Sequence, residues 1–576
     1  MKRVLLTILS LAMLLPLYGK AVKGRVLCEG KGIAGVVVSD GVSVTQTDAR
    51  GRYRLEPYLD SRLVFISTPS GYVSSVRRGE GCFWRELEPG ESTYDFTLRR
   101  NPKDDSRHNV IVIADPQIAE AEEFPELRHN AEAVRDCYDR VAGDYTFGLC
   151  LGDIVGWNHA LYPEYNNIMD STGVVFRSVI GNHDMTNYGR SFEGSTRDYE
   201  KMYGPSYYSF NVGRVHYIVL NDNFYVGKDW YYIGYLPEAQ LRWMERDLSY
   251  VGKDMKVVVS LHIPTTLREW DRTGYNFNYS QIADVMCNRK AVYDLLAPYD
   301  ALILSGHTHT GNNEIITEKL MEQNVTSLGG AWWCGPVCVD GGPAGFKLYS
   351  FDGTDVRWRF LGCDTPDDYQ MKVYVDSPYF PGEVVVNIWD YDPLWKVEYF
   401  EDGVKVCDME RFEGKDPLTL ELYKDPSSLK RSWVQAVLTQ NLFRAAMSRD
   451  AKSREVRVTD RFGNVYSEYS GMECSLSANS IKVGIIELIS PFLDPARRAI
   501  IDLSGSPVFA RNSSRVSLKA SELSIASISG LPLYIKSTPF SVKYGISNGN
   551  TMNSLSTNAL SFFTRLSLEA QTLGAM

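Results

Sequence analysis

The stretch Gly181-Asn182-His183-Asp184 directly follows the apolar run Val174-Val175-Phe176-Arg177-Ser178-Val179-Ile180. A short run of that kind is the pattern of a buried strand. A strand that ends in Gly-Asn delivers the next side chains into a loop beyond the carboxyl edge of its sheet, where ligands bind in open α/β sheets. Asn offers a hard, neutral carbonyl oxygen, His a titratable ring, and Asp a group able to orient that ring.

Four further strand patterns end in the same kind of residue. His108 to Ala114 leads into Asp115-Pro116-Gln117, and Tyr145 to Leu151 leads into Gly152-Asp153. Met255 to Leu261 is followed by His262-Ile263-Pro264, and Ala301 to Leu304 by Ser305-Gly306-His307-Thr308-His309. The chain has only 8 His, and His183, His262, His307 and His309 all fall at these strand ends. Helical patterns alternate with the strands. Pro125 to Val141 carries Leu127, Ala131, Val134 and Tyr138 on one face, and further helices are expected near 160–171, 237–250 and 282–296. With another strand at Val215 to Leu220, the alternation predicts an α/β domain over residues 101–362.

The order D-x-Q, GD, GNHD, H-x-P and GHTH resembles the calcineurin-like metallophosphoesterases, a family that includes purple acid phosphatases and protein Ser/Thr phosphatases. The likeness covers about residues 108 to 362. It implies a sandwich of two β-sheets flanked by helices, holding two metal ions. By that resemblance one ion would take Asp115, Gln117, Asp153 and His309, and the other Asp153, Asn182, His262 and His307. Two cations about 3.5–4 Å apart repel each other, so a carboxylate between them is required; Asp153 is the candidate bridge. The family mechanism implies a metal-bound hydroxide as nucleophile. His183 would act as general acid or transition-state stabiliser at the leaving group, and Asp184 would steady its ring. Gln117 stands where many members have His, which makes the first site oxygen-rich and tilts it toward Fe, Mn or Mg. The second site, with two imidazoles, suits Zn, Mn or Fe. Trp157, Asn158, Trp332 and Trp333 are the candidate substrate contacts, with His159, Tyr207 and Tyr208 as further neighbours.

The rest of the chain frames this domain. Lys2 and Arg3 precede an apolar run from Val4 to Leu17, and small residues follow at Gly19 and Ala21, the layout of a secretory signal peptide over residues 1–19. No later stretch is apolar enough for a membrane span. Residues 20–100 read as short strands with turns at Ser39-Asp40-Gly41 and Asp48-Ala49-Arg50-Gly51, a small β-sandwich resembling carboxypeptidase-regulatory-like modules. Residues 363–470 read as a second β-sandwich. Residues 471–576 have no Trp and carry 9 Lys/Arg against 6 Asp/Glu; with no sustained period, they read as a poorly ordered tail or an extension not shaped with the fold. Ten Cys show no disulfide framework, and the Cys334/Cys338 pair lacks the second pair a zinc site needs.

A net charge of −10 argues against duplex nucleic acid as a partner. The expectation is therefore an exported phosphoesterase (periplasmic, secreted or at the cell surface) with two divalent or mixed-valence ions. Its substrates would be small and phosphorylated: nucleotides, sugar phosphates, lipid head groups or glycan phosphates. The motifs serve mono- and diesters alike. The rival is a cell-surface glycan- or protein-binding protein with a vestigial metal site, motivated by the two flanking β-modules.

Overall fold

The structure, a computed structural model, describes residues 21–186, 189–228, 231–267, 282–470, 515–518 and 540–543. The expected signal segment lies outside the described residues. So does the tail, except for strands Arg515–Leu518 and Phe540–Lys543, which pair antiparallel.

Two sheets form the middle of the chain. Strands β1 (Arg107–Ile113), β2 (Tyr145–Cys150) and β3 (Phe176–Ser178) run parallel in the first. Strands β4 (Tyr208–Val212), β5 (Val215–Val219), β6 (Lys256–Ser260), β7 (Asp300–Ser305), β8 (Asn312–Thr317) and β9 (Leu320–Asn324) form the second, in the order β4-β5-β6-β7-β9-β8. Strands β10 (Gly345–Asp352), antiparallel to β1, and β11 (Asp355–Gly362), antiparallel to β10, complete the first sheet in the order β3-β2-β1-β10-β11. Alternation along β1 explains the layering. Val110 and Val112 pack in the core shared with Tyr217, Val258 and Ile303 of the facing sheet. Ile111 and Ile113 pack on the other side with Leu127, Ala131 and Val134 of helix α1 (Phe124–Val141). Aromatic pairs cross between the sheets, Phe147 against Tyr217 at 5.3 Å. Because β1 to β3 and β5 to β7 are parallel within their sheets, their carboxyl ends collect along one edge of the sandwich.

Strands β8 and β9 are hidden in the sequence by polar letters. Glu322, Gln323 and Asn324 are buried and satisfied by partners rather than by apolar contact. Glu322 accepts from Thr265 N at 2.8 Å and Ser305 Oγ at 3.0 Å; Gln323 bonds Tyr349; Asn324 donates to Ser305 Oγ and to Gly306 O. The helix expected near 282–296 is interrupted: Ile282 and Ala283 are helical, and a separate helix spans Arg289–Leu296. Met286 N and Cys287 N donate to Pro264 O and Gly234 O, which draws that backbone out of a helical ladder.

The N-terminal flank contains three small sheets and the C-terminal flank two. The N-terminal module pairs Val22–Cys28 with Lys31–Gly32, Arg52–Leu55 and Phe96–Thr97, and sets Val37–Ser39 beside Val44–Gln46 and Leu63–Ile66. The C-terminal module packs Met371–Ser377, Phe380–Ile388 and Leu438–Ala446 against Lys396–Glu401 and Arg454–Thr459. One short helix interrupts the second module, Pro417–Leu422, capped by the Asp416 carboxylate. Arg62 of the first module holds Glu200 of the core through Nε and Nη2, at 2.8 Å each. Lys430 and Arg431 reach Glu123, each at 2.7 Å. The nine Cys among the described residues are free thiols. Among those residues no helix is long and apolar enough to cross a membrane.

Candidate metal centre

The five strand ends converge from two sheets: β1, β2 and β3 supply Asp115 with Gln117, Asp153, and Asn182; β6 and β7 supply His262, and His307 with His309. Asp153, His262 and His307 present ligand atoms within 4.8 Å of one another. His262 Nε2 lies 3.4 Å from Asp153 Oδ2, 3.0 Å from Asn182 Oδ1 and 3.1 Å from His307 Nδ1. Gln117 Nε2 lies 3.3 Å from Asp153 Oδ2, and His309 Nε2 3.8 Å from Asp115 Oδ1. The seven expected ligands therefore form one cluster.

The backbone is strained to do this. Asp115, Gln117, Asp153, His307 and His309 all take left-handed φ values between +41° and +74°. Non-glycine residues pay of order 1 kcal/mol each for that region, and such strain gathers at functional sites. Space is equally tight. A Cβ on Gly181 would lie 2.1 Å from Asp153 N and 2.2 Å from its Oδ1, and one on Gly306 would lie 2.6 Å from Asp115 Oδ2. Each of these glycines is the floor on which a neighbouring motif's carboxylate rests.

The donor chemistry fits cations. His262 Nδ1 lies 2.8 Å from Leu151 O and His309 Nδ1 2.9 Å from Gly330 O, so each ring proton goes to a carbonyl and each Nε2 keeps a lone pair. Those lone pairs face the oxygens of Asp153, Asn182 and Asp115. Gln117 Oε1 and His309 Nε2 are buried with no hydrogen-bond partner. Acceptors aimed at acceptors need a shared positive charge, which one or two divalent ions supply. Without an ion a proton takes the cation's place: burial opposes a charged His262, yet the Asp153 carboxylate overrides it and holds the ring up to about 10. Burial pushes Asp115 up to about 8 and His309 down to about 3.

His183 sits at the rim, its side chain 25% exposed, with Nε2 4.0 Å from Asp153 Oδ2 and Nδ1 unpartnered. The expected Asp184 contact to its ring is absent. The Asp184 carboxylate instead accepts from Gly181 N at 2.9 Å, Ile154 N at 3.1 Å and Tyr162 OH at 3.0 Å. It is turned inward, where it ties the turn Asn182–Asp184 to the loop after Asp153. Burial and the Asp153 charge push it up to about 7. What touches the His183 ring is Trp157, at 4.3 Å between ring centres.

The other candidate contacts divide. Trp157 also meets Tyr231 at 4.8 Å, and Trp332 stacks on His309 at 4.0 Å, so both belong to the surround of the cluster. Asn158 spends its side chain capping Ala160 N, and Trp333 donates Nε1 to Pro116 O at 2.9 Å, a bracing role. His159 lies against Tyr162, while Tyr207 and Tyr208 donate to Gly41 O and Ser178 O, away from the cluster. Sequence reasoning missed Asp222. Its Oδ1 accepts from His262 N at 3.2 Å and Ile263 N at 3.3 Å, bracing the H-x-P turn, while Oδ2 has no partner. The signal was available, since Asp222 follows the strand Val215 to Leu220 just as the ligands follow theirs. Tyr232 OH and Asp284 Oδ1, 3.5 Å and 3.6 Å from His307 Nε2, carry no comparable signal.

Three family models match consecutive parts of the chain: the N terminal of calcineurin-like phosphoesterase over residues 20–101, calcineurin-like phosphoesterase over 108–311, and its C terminal over 322–466. The chain belongs to the calcineurin-like phosphoesterase family, with its metallophosphoesterase core between the two flanking modules. It is 30% identical over 135 residues to the human (Homo sapiens) serine/threonine-protein phosphatase CPPED1, a stretch covering 23% of this chain and 40% of that protein. Among solved structures it is similar to a dimetal phosphatase from Danio rerio, with 16% identity, 44% of this chain and 96% of that one covered, and a TM-score of 0.31. A purple acid phosphatase from yellow lupin (Lupinus luteus) seeds shows 12% identity, coverage of 57% and 67%, and a TM-score of 0.33.

Proposed function

We propose that this chain is an exported hydrolase of small phosphate mono- or diesters, working at the cluster around Asp153. The observation that carries the reading is the convergence of nitrogen and oxygen ligand atoms from five strand ends, with buried Gln117 Oε1 and His309 Nε2 left unpartnered. Asp115, Gln117, Asp153 and His309 would hold one divalent ion, and Asp153, Asn182, His262 and His307 the other. Bound there, the ions supply Lewis-acid charge for phosphoryl oxygens and acidity for a water molecule.

The chain's own groups do the positioning. Asp153 Oδ1 accepts from His183 N at 2.8 Å, which locks that carboxylate to the turn that carries the candidate acid. His183, braced by Trp157, donates a proton to the departing ester oxygen or steadies its charge. Asp184 acts one step removed, by fixing the turn. Trp157, Tyr231 and Trp332 surround the cluster with aromatic faces suited to a base, a sugar or a lipid edge. The likeness to a named protein phosphatase supports phosphoester chemistry, and the Lys2-Arg3 and Val4 to Leu17 pattern supports export.

The test is hydrolysis of p-nitrophenyl phosphate beside bis(p-nitrophenyl) phosphate, with Mn, Zn, Fe or Mg added to stripped protein. Metal-dependent turnover is expected, and Asp153→Ala should lose metal and turnover together. No turnover with any metal overturns the reading.

A further inference from the structure

Arg177 is a buried charge that the metal centre does not use. It lies on β3, between the N-terminal module and the core, and is 9% exposed. Its guanidinium sits 4.1 Å from the ring centre of Phe210 in the core and 5.1 Å from that of Phe83 in the N-terminal module. Nη2 donates to Ser74 Oγ at 3.2 Å, whereas Nη1 is buried with no hydrogen-bond partner. Among the described residues no carboxylate forms an ion pair with it. A guanidinium keeps its charge in a protein, and a buried charge without a counter-charge is costly.

Beside it lies a small cavity of about 20 Å³. Arg77 and Asp170 also line this cavity, but they neutralise each other in a two-point pair at 2.6 and 2.9 Å. Tyr203 OH donates to Asn166 Oδ1, which leaves the Asn166 amide nitrogen as a further donor at the wall. The unbalanced charge is that of Arg177, and its Nη1 is a buried donor without an acceptor. A planar guanidinium matches the oxygens of an oxyanion better than a single halide.

We propose that this cavity, at the seam between the N-terminal module and the core, binds a small oxyanion with Arg177 Nη1 as its charged donor. The anion completes a clasp in which the module contributes Ser74, Arg77 and Phe83 and the core contributes Arg177 and Asn166. The site is separate from the strand-end cluster and stands whether or not the phosphoesterase reading holds.

Thermal unfolding in phosphate, compared with chloride at equal ionic strength, tests it in wild type and in Arg177→Met. The Met keeps the aliphatic stem between Phe83 and Phe210 but has no donor. Phosphate at the metal centre stabilises both proteins alike, so the difference is what counts. The increment in wild type should exceed that in Arg177→Met by roughly 2–4 °C at saturating phosphate. Hydrolysis of a generic ester by the variant should stay within about twofold of wild type, as the cavity lies outside the reacting cluster. Equal increments in the two proteins overturn the proposal. An acetate arm separates sources: an Arg177-dependent increment with acetate alone assigns a carboxylate ligand, one with phosphate a phosphate. Should Arg177→Met fail to fold, wild-type crystals soaked in tungstate decide the matter. Density within hydrogen-bond reach of Arg177 Nη1 is expected, and density at the metal centre alone refutes the site.

Discussion

Gly181→Ala tests how the metal centre is assembled. The added Cβ would lie 2.1 Å from Asp153 N, 2.2 Å from Asp153 Oδ1 and 2.8 Å from Asp153 Cα. Two of these are backbone atoms, and the third is pinned by the His183 N–H at 2.8 Å, so no flexible side-chain end can swing away. Ordinary contact between such atoms needs about 3.5 Å, so Asp153 or the Gly181 turn must shift by about 1 Å. Overpacking of that kind costs about 1–3 kcal/mol, and a displacement of about 1 Å at a reacting group costs roughly 100-fold in rate. The expected result is a loss of at least about 100-fold in kcat/KM with reduced metal content, and a Tm lower by a few degrees. Metal is read by elemental analysis, rate with p-nitrophenyl phosphate, and stability by thermal unfolding. Gly143→Ala is the control, since a Cβ there meets nothing within 4 Å. A Gly181→Ala protein with full metal and near-wild-type turnover would show that Asp153 is not seated on Gly181, and the assembly described above would be wrong.

His183→Ala should keep its metals and lose about 10²–10⁴ in kcat, because its ring lies outside the ligand cluster; metal loss in that variant contradicts the role given to it. Glu123→Ala strands Arg431, whose side chain is 7% exposed, against the core. Removing one partner of a buried pair costs about 3–5 kcal/mol, so chemical denaturation should show a large loss, and a change below about 1 kcal/mol would count against this tie. Glu468 accepts from Val373 N, and burial raises its carboxyl to about 7, so the folded state holds a proton that the unfolded state releases near 4.5. Its stabilising contribution is complete below about 4.5 and is lost as pH rises toward 7. Glu468→Gln should therefore gain stability relative to wild type across that window, by up to about 3 kcal/mol, and a difference independent of pH would refute the assignment.

How much was legible from the letters follows from what each residue answers to. The ligands could be read because strand ends at a carboxyl edge leave a local mark, an apolar run closed by Gly, Asp, Asn or His. Asp222 has the same mark but lacks a motif partner, and its role appears only when His262 N and Ile263 N fold over it. Strand β9 escaped because buried Glu322, Gln323 and Asn324 are satisfied by groups distant in sequence, which no local period records. Asp184 was assigned by adjacency to His183. Adjacency does not fix which way a carboxylate turns, and here Gly181 N, Ile154 N and Tyr162 OH draw it inward.

By itself, the sequence determined the alternation of strands and helices, the order of the five motifs and the residue types able to hold cations, because each is written within a few neighbouring positions. Only the tertiary structure decided that the motifs divide between two facing sheets, that Gly181 and Gly306 carry carboxylates of other strands, and that Arg177 is buried without a counter-charge. Those outcomes depend on atoms brought within a few ångströms from opposite ends of the domain, where packing, rather than propensity, sets the geometry.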